Sequence, residues 1–222
     1  KKKKSDLSDA KTFGTNSIMI GDATTGTIDA ANNNTGVGID VFAALTSGDD
    51  NTAIGKGALT ANTTGGSNVA VGSIALDANT TGVSNTAVGK GALSTATTAS
   101  SNTAMGANAL NACTTGATNT AVGSGAGESI TTGQRNVFVG IEAGATMTTG
   151  QENCYVGRLA GKLATSGYST GVGTEALYNN TGNHNTAVGI QALMANTSGT
   201  RNVAVGSNAL DAMTTGYNST AV

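Results

Sequence analysis

Residues 51–67 have the sequence NTAIGKGALTANTTGGS, and residues 68–84 return to it as NVAVGSIALDANTTGVS. The first glycine of this unit recurs every 17 residues, and it resumes that spacing after two one-residue deletions. Its copies are Gly21, Gly38, Gly55, Gly72, Gly89, Gly106, Gly123, Gly140, Gly157, Gly173, Gly189 and Gly206. Self-similarity at a fixed short period is the signature of a repeat architecture, so this period decides the fold.

We number each unit from the residue four before this glycine, which gives the pattern N-T-A-V-G-x-x-A-L-x-x-x-T-T-G-x-x. Position 4 is always Val, Ile or Met, and position 8 is Ala in every unit from Ala58 to Ala209. Residues 1–16 lie outside the pattern, and we expect them to form an irregular N-terminal segment. Residues 17–222 form the repeat array, which we expect to continue beyond residue 222 because the chain stops partway through a unit.

The length and residue types of the unit predict an all-β fold, a β-solenoid or β-roll of about twelve coils. Thr, Val and Ile at positions 2 and 4 favour a short strand, with position 3 pointing to the opposite face. Glycines at positions 5 and 15 predict corners, so each coil is expected to run strand, corner, strand, corner. The alternative is a turn of helix at the Ala-Leu pair of positions 8 and 9.

Stacked coils place equivalent residues directly above one another, so repeated polar positions predict ladders of hydrogen bonds. Position 1 predicts an amide ladder formed by Asn51, Asn68, Asn85, Asn102, Asn119, Asn136 and Asn153. Position 13 predicts a hydroxyl ladder that includes Thr63, Thr80, Thr97 and Thr114. These residues, together with the position-5 glycines, are the structural positions of the array.

Two positions of the unit change together. Position 3 becomes aromatic at Phe138 and Tyr155, and position 9 becomes glycine in the same units, at Gly144 and Gly161. Volume gained at one position and lost at the other predicts a shared packed compartment, within a coil, between coils or across a subunit interface. If positions 3, 8 and 9 form a continuous face, they predict the interface of a homotrimer.

Composition argues against several classes of function. The net charge of −2 provides no basic surface for nucleic acid, and no apolar run reaches the ~20 residues that span a bilayer. The basic run Lys1–Lys4 is interpreted as a solvated terminus. The single histidine, His184, and the scattered acidic residues provide no catalytic, metal or cofactor site, so we expect no enzyme. Two tyrosines at position 16, Tyr168 and Tyr217, are possible surface contacts.

The unit NTAVG…AL…TTG resembles the repeats of bacteriophage tail-fibre-like proteins over residues 17–222. Its first eight positions are similar to the head repeats of YadA-type trimeric autotransporter adhesins. The resemblance implies a trimeric fibre segment in a virion, with a host-surface receptor or other virion proteins as partners. The alternatives are a bacterial surface adhesin or extracellular filament of the same fold and, more distantly, a module that binds ice or glycan.

The period slips twice between Gly157 and Gly189, where two units are one residue short. A rod of identical coils offers the same surface everywhere, so a local difference must come from such a break. We therefore expect any functional irregularity in this region and at the neighbouring step from Phe138 to Tyr155.

Overall fold

The computed structural model describes residues 10–21 and 30–222, which form one 14-stranded sheet in chain order. The strands are β1 (Ala10–Phe13), β2 (Ser17–Ile20), β3 (Thr35–Val37), β4 (Thr52–Ile54), β5 (Val69–Val71), β6 (Thr86–Val88), β7 (Thr103–Met105), β8 (Thr120–Val122), β9 (Val137–Val139), β10 (Cys154–Val156), β11 (Thr170–Val172), β12 (Thr186–Val188), β13 (Val203–Val205) and β14 (Thr220–Ala221). From β2 onward, each strand pairs in parallel with the equivalent strand of the next coil. The predicted all-β solenoid is confirmed. No helix occurs in the described residues, so the helical alternative is wrong.

Strand β1 covers the first edge of the sheet. It runs antiparallel to β2, with Ala10 opposite Ile20 and Phe13 opposite Ser17. An unpaired edge would present free main-chain groups, and this pairing removes them. The part of residues 1–16 that the structure describes is therefore an ordered strand and turn rather than an irregular segment. The Lys1–Lys4 run lies outside the described residues.

Each coil contains one strand, and the second strand that the sequence predicts is absent from the described coils. Positions 7 and 9 have left-handed backbones, as at Gly57 (φ 70°) and Leu59 (φ 51°). The N–H of Gly57 donates to Ile39 O of the preceding coil, and that of Leu59 donates to Ala75 O of the following coil, at 2.8 and 3.1 Å. The bent segment thus satisfies its main-chain groups in both directions, and a second strand is not needed.

The predicted corners are confirmed, and they favour glycine for two different reasons, although position 15 also holds Ala31 and Ala99. At position 5, Gly55 has a φ of 128°, and a Cβ there would lie 2.5 Å from the carbonyl oxygen of Gly72. At position 15, Gly65 has no left-handed φ, but a Cβ would lie 2.4 Å from the carbonyl oxygen of Gly82. Both corners pack main chain directly against main chain of the next coil.

The interior of the rod is a narrow core of mostly apolar side chains, enclosed by the coils. Position 3 points inward, and residues such as Ala53, Ala58 and Leu59 are fully buried within one chain. Positions 3, 8 and 9 do form a continuous apolar compartment, but the coil closes around it. The prediction that they form an oligomer interface is therefore wrong, because no partner can reach them.

The paired volume changes belong to this compartment. The rings of Phe138 and Tyr155 stack with centroids 6.2 Å apart. A Cβ on Gly144 would lie 2.4 Å from Phe138 Cε1, and one on Gly161 would lie 2.5 Å from Tyr155 Cδ2. Phe138 also fills the space beside Gly127 of the preceding coil, where a Cβ would lie 2.6 Å from its ring. The predicted exchange of side-chain volume between positions 3 and 9 is confirmed. It occurs within a coil and between neighbouring coils of one chain.

We predict that Gly144→Leu lowers the free energy of unfolding by more than about 2 kcal/mol, because the new side chain overlaps the ring of Phe138. Phe138→Ala should cost about 3–5 kcal/mol through the cavity it leaves. The double variant has the common Ala and Leu of other units, and it should recover most of either loss. Urea unfolding followed by circular dichroism measures all three. Additive losses in the double variant would contradict the shared compartment.

Candidate assembly surface and surface cleft

The amide ladder of position 1 lies inside the rod, at the start of each strand. Asn51 Oδ1 accepts from the main-chain N–H of Asn68 at 3.0 Å and from its Nδ2 at 3.2 Å. Asn68 Nδ2 also donates to Gly82 O at 2.9 Å, which ties the strand to the corner of its own coil. The same three bonds recur at Asn85, Asn102, Asn119 and Asn136.

The threonine ladder of position 13 is present, and its acceptors are main-chain oxygens of the next coil. Thr63 Oγ1 donates to the main-chain oxygen of Thr80 at 2.9 Å, and Thr80 Oγ1 donates to that of Thr97 at 3.0 Å. Thr97 continues the series to Thr114 O at 3.3 Å. Each hydroxyl therefore bonds to backbone rather than to another hydroxyl, because the strand-like spacing brings the next carbonyl within reach.

Both ladders are interrupted at the two shortened coils. Ser169 replaces the asparagine there, and its Oγ accepts from the N–H of Asn185 and from Asn180 Nδ2, both at 3.3 Å. Its own N–H donates to Asn153 Oδ1 at 3.1 Å. The threonine series runs from Thr46 to Thr148 and resumes at Thr181. Other side-chain bonds join these coils: Ser166 Oγ donates to Gly182 O at 2.6 Å, and Asn185 Nδ2 donates to Asn180 Oδ1 at 2.9 Å.

Position 12 is a core position that the sequence pattern does not reveal, since its residue type varies. Asn62 and Asn79 are fully buried, with Asn79 Nδ2 donating to Asn62 Oδ1 at 2.8 Å. Asn180 and Asn196 form the same pair at 2.7 Å. The signal for it was present: amides occur in neighbouring units, and the intervening units have apolar or cysteine side chains there, such as Ile130.

Positions 2 and 4 of the strands point away from the interior and form what we call the outer strand face. Position 4 contributes a Val, Ile or Met from every coil. Those side chains are exposed, as at Ile54 (41%) and Met105 (44%), or half-buried, as at Val71. Position 2 contributes Thr, Val, Ile or Cys. Neither position has a charged residue in any unit. The face is therefore an uncharged, largely apolar stripe that follows the rod.

Charged residues lie at the corners instead. Arg135 and Glu152, both at position 17, stack in adjacent coils with Nη2 and Oε1 2.8 Å apart. Gln151 Oε1 accepts from the same Arg135 Nη2 at 3.4 Å. Positions 16 and 17 thus form an exposed corner, and this ion pair lies away from the outer strand face.

The two tyrosines named from the sequence are not equivalent. Tyr168 N donates to Gln151 O at 2.9 Å, as Glu152 N does to Gln134 O at 3.1 Å in the coil before. Tyr168 therefore occupies position 17 rather than 16, because the missing residue lies earlier in its unit. Tyr217 keeps position 16 and is 66% exposed.

Tyr168 is engaged with its neighbours. Its ring stacks on the ring of His184 at a centroid distance of 5.2 Å, and its hydroxyl accepts from Gln151 Nε2 at 3.0 Å. His184 is thus part of an exposed aromatic stack. Tyr168 and Tyr217 lie three coils apart, and the structure does not combine them into one contact site.

The two cysteines are both free thiols in different surroundings. Cys113 lies at position 12 in the interior, and burial raises the pKa of its thiol to about 11. Cys154 lies at position 2 of the outer strand face and is half-buried, and desolvation raises its pKa as well.

A surface cleft lies on the two shortened coils and the coil after them. It has a volume of about 220 Å³ and is lined by Leu159, Glu175, Tyr178, Asn179 and Met194. All five side chains are half-buried. They belong to positions 7, 10 and 11, which are mostly small in earlier coils. The cleft therefore lies in the region where the period slips.

Within residues 10–21 and 30–222, no group of three His, Cys, Asp or Glu side chains is placed to hold a metal ion. The same part of the chain has no helix that is long and apolar enough to cross a membrane.

We predict that Asn102→Ala lowers the free energy of unfolding by about 2–4 kcal/mol, because it leaves the buried Asn85 Oδ1, Gly116 O and Asn119 N–H with fewer partners. Thr97→Ala, the matched control, removes one exposed hydroxyl and should cost less than about 1 kcal/mol. Urea unfolding compares the two. Equal losses would contradict a stabilising role for the amide ladder.

No family model matches this chain, and neither a curated protein nor a solved structure matches it.

Proposed function

We propose that this chain is a structural segment of a homotrimeric fibre, specifically of a bacteriophage tail fibre that takes part in host attachment. The observation that carries the proposal is the outer strand face, which is uncharged along the whole array. Isolated exposed apolar residues are ordinary, whereas a contiguous apolar patch marks an interaction surface. A rod with one such stripe is suited to assembly along its length.

Further copies of the same chain fit this face best. Thirteen strands at about 4.8 Å make a stripe roughly 60 Å long, and the three residues of positions 2 to 4 are about 10 Å wide at 3.3 Å per residue. The resulting area, about 600 Å² per chain, approaches the roughly 800 Å² that a standard interface buries on each partner. A parallel copy also has the same axial spacing, so its valines meet equivalent valines coil for coil. Three stripes can converge on one closed axis.

The resemblance of the NTAVG…AL…TTG unit to tail-fibre-like repeats supports the virion as the location. A long, uniform rod suits a shaft that holds a host-recognition element away from the particle. The proposed partners are the other two chains, neighbouring virion proteins and a host-surface receptor. No catalytic role is proposed.

The charge-free face yields a direct test of assembly. Val122→Lys places an ammonium group in the middle of the face. A trimer would bury three such groups, and each would carry a free-energy cost of desolvation. We predict that the wild-type chain sediments as a trimer at micromolar concentration and that Val122→Lys sediments as a monomer. Thr115→Lys, at an exposed position outside the strands, is the matched control and should remain trimeric. A monomeric wild-type chain would contradict the proposal.

Cys154 reports on the same face without a change of charge. We predict that a maleimide labels neither cysteine of the trimer quickly at neutral pH, since Cys113 is buried in the chain and Cys154 is covered by the partner chains. In the monomeric Val122→Lys chain, Cys154 should be labelled at least tenfold faster and Cys113 should stay protected. Mass spectrometry of peptides separates the two. Equal rates for Cys154 in both chains would place the interface elsewhere.

Imaging tests the location. Antibodies raised against residues 51–222 should label the tail fibres of intact virions in negative-stain electron microscopy. Labelling of a bacterial envelope with unlabelled virions would contradict the tail-fibre proposal and favour the surface adhesin or filament.

A further inference from the structure

The cleft on the shortened coils has its own chemistry, separate from the outer strand face. Its lining combines three apolar or aromatic side chains, Leu159, Tyr178 and Met194, with the carboxylate of Glu175 and the amide of Asn179. Ligand sites characteristically have an apolar lining with a few placed polar groups. The volume of about 220 Å³ is below the range for drug-sized ligands, so the cleft suits a single ring.

The polar groups of the cleft are mainly acceptors. Asn179 Nδ2 already donates to Met194 O at 3.1 Å, which fixes the amide and leaves its Oδ1 as an acceptor. Glu175 accepts from Gln191 Nε2 at 2.9 Å through Oε2, and each carboxylate oxygen has more than one acceptor site. A complementary ligand must therefore supply several donors, such as hydroxyl groups, as well as an apolar surface.

The charges around the cleft are paired, which argues against a charged ligand. Arg158 Nη2 lies 3.3 Å from Glu175 Oε1, and Lys162 Nζ lies 2.6 Å from Glu142 Oε2 on the same side of the rod. A cation would have to compete with Arg158 for Glu175, and an anion would meet the carboxylate directly. A neutral ligand avoids both costs.

We propose that this cleft binds one neutral pyranose residue of a saccharide. The apolar C–H face of the ring packs on Tyr178, since aromatic side chains offer an apolar face with a polar rim. Ring hydroxyls donate to Glu175 and to Asn179 Oδ1. The proposal names a ligand class for the attachment role and rests on the proposed function only for the saccharide's origin on a host surface.

Saturation-transfer NMR tests the proposal with three probes: methyl α-glucopyranoside, methyl α-mannopyranoside and methyl α-galactopyranoside. We expect at least one to bind the wild-type chain at millimolar concentration and to bind Tyr178→Ala at least tenfold more weakly. That variant should fold, because position 10 is already alanine at Ala145. Tyr217→Ala, which removes an exposed tyrosine outside the cleft, is the control and should bind as the wild type does.

Glu175→Gln provides a second, conservative variant, because it keeps the side-chain shape and removes the negative charge. It should weaken binding at least threefold if the carboxylate accepts from the hydroxyls. Absence of binding by all three probes, equal binding by Tyr178→Ala, or preferential binding of tetramethylammonium would overturn the proposal. Because the Thr115→Lys and Val122→Lys chains both retain the cleft, saccharide binding is measured independently of trimer formation.

Discussion

Every coil must lie one strand spacing from the next around its whole circumference, and this constraint governs the rest of the structure. A Cβ on Gly72 would lie 2.4 Å from the carbonyl oxygen of Gly89, so no other residue fits that corner without moving the coils apart. Separating them would break the main-chain bonds that join neighbouring coils. The period, the small residues and the left-handed turns all follow from keeping that distance constant.

A coil of only 17 residues encloses a narrow interior, and this explains why a larger side chain at one position is matched by a smaller one at another. A coil encloses little more than the alanines of positions 3 and 8 and the side chains of positions 9 and 12. A ring at Phe138 fits because Gly127 and Gly144 have no side chain to displace. Polar side chains can be buried in this interior because they are hydrogen-bonded. Each asparagine of position 1 bonds to main chain and to the next amide.

The 17-residue period and its glycines were sufficient to predict the solenoid and its ladders, because they depend on stacking alone. The pattern does not reveal which side of the strand faces inward. Ile54 is larger and more apolar than Ala53, yet it points outward, since the narrow interior admits only the smaller side chain. Positions 3, 8 and 9 were therefore predicted as an interface, although they lie inside the coil. The register of Tyr168 and the cleft depend on how the shortened coils close and on the shape of their side chains, which a linear pattern does not contain.

The interrupted ladders also bear on how a rod of this kind responds to load. Tension along its axis acts on the contacts between coils in series, so the whole rod can be no stronger than its weakest seam. Around Ser169 the amide series lacks its side-chain rung, and the threonine series is absent between Thr148 and Thr181. Those seams adjoin the cleft, and other side-chain bonds replace the regular rungs there, such as those from Ser166 Oγ to Gly182 O and from Asn185 Nδ2 to Asn180 Oδ1. A ligand bound across these coils would add a further link between them and would resist their separation under load.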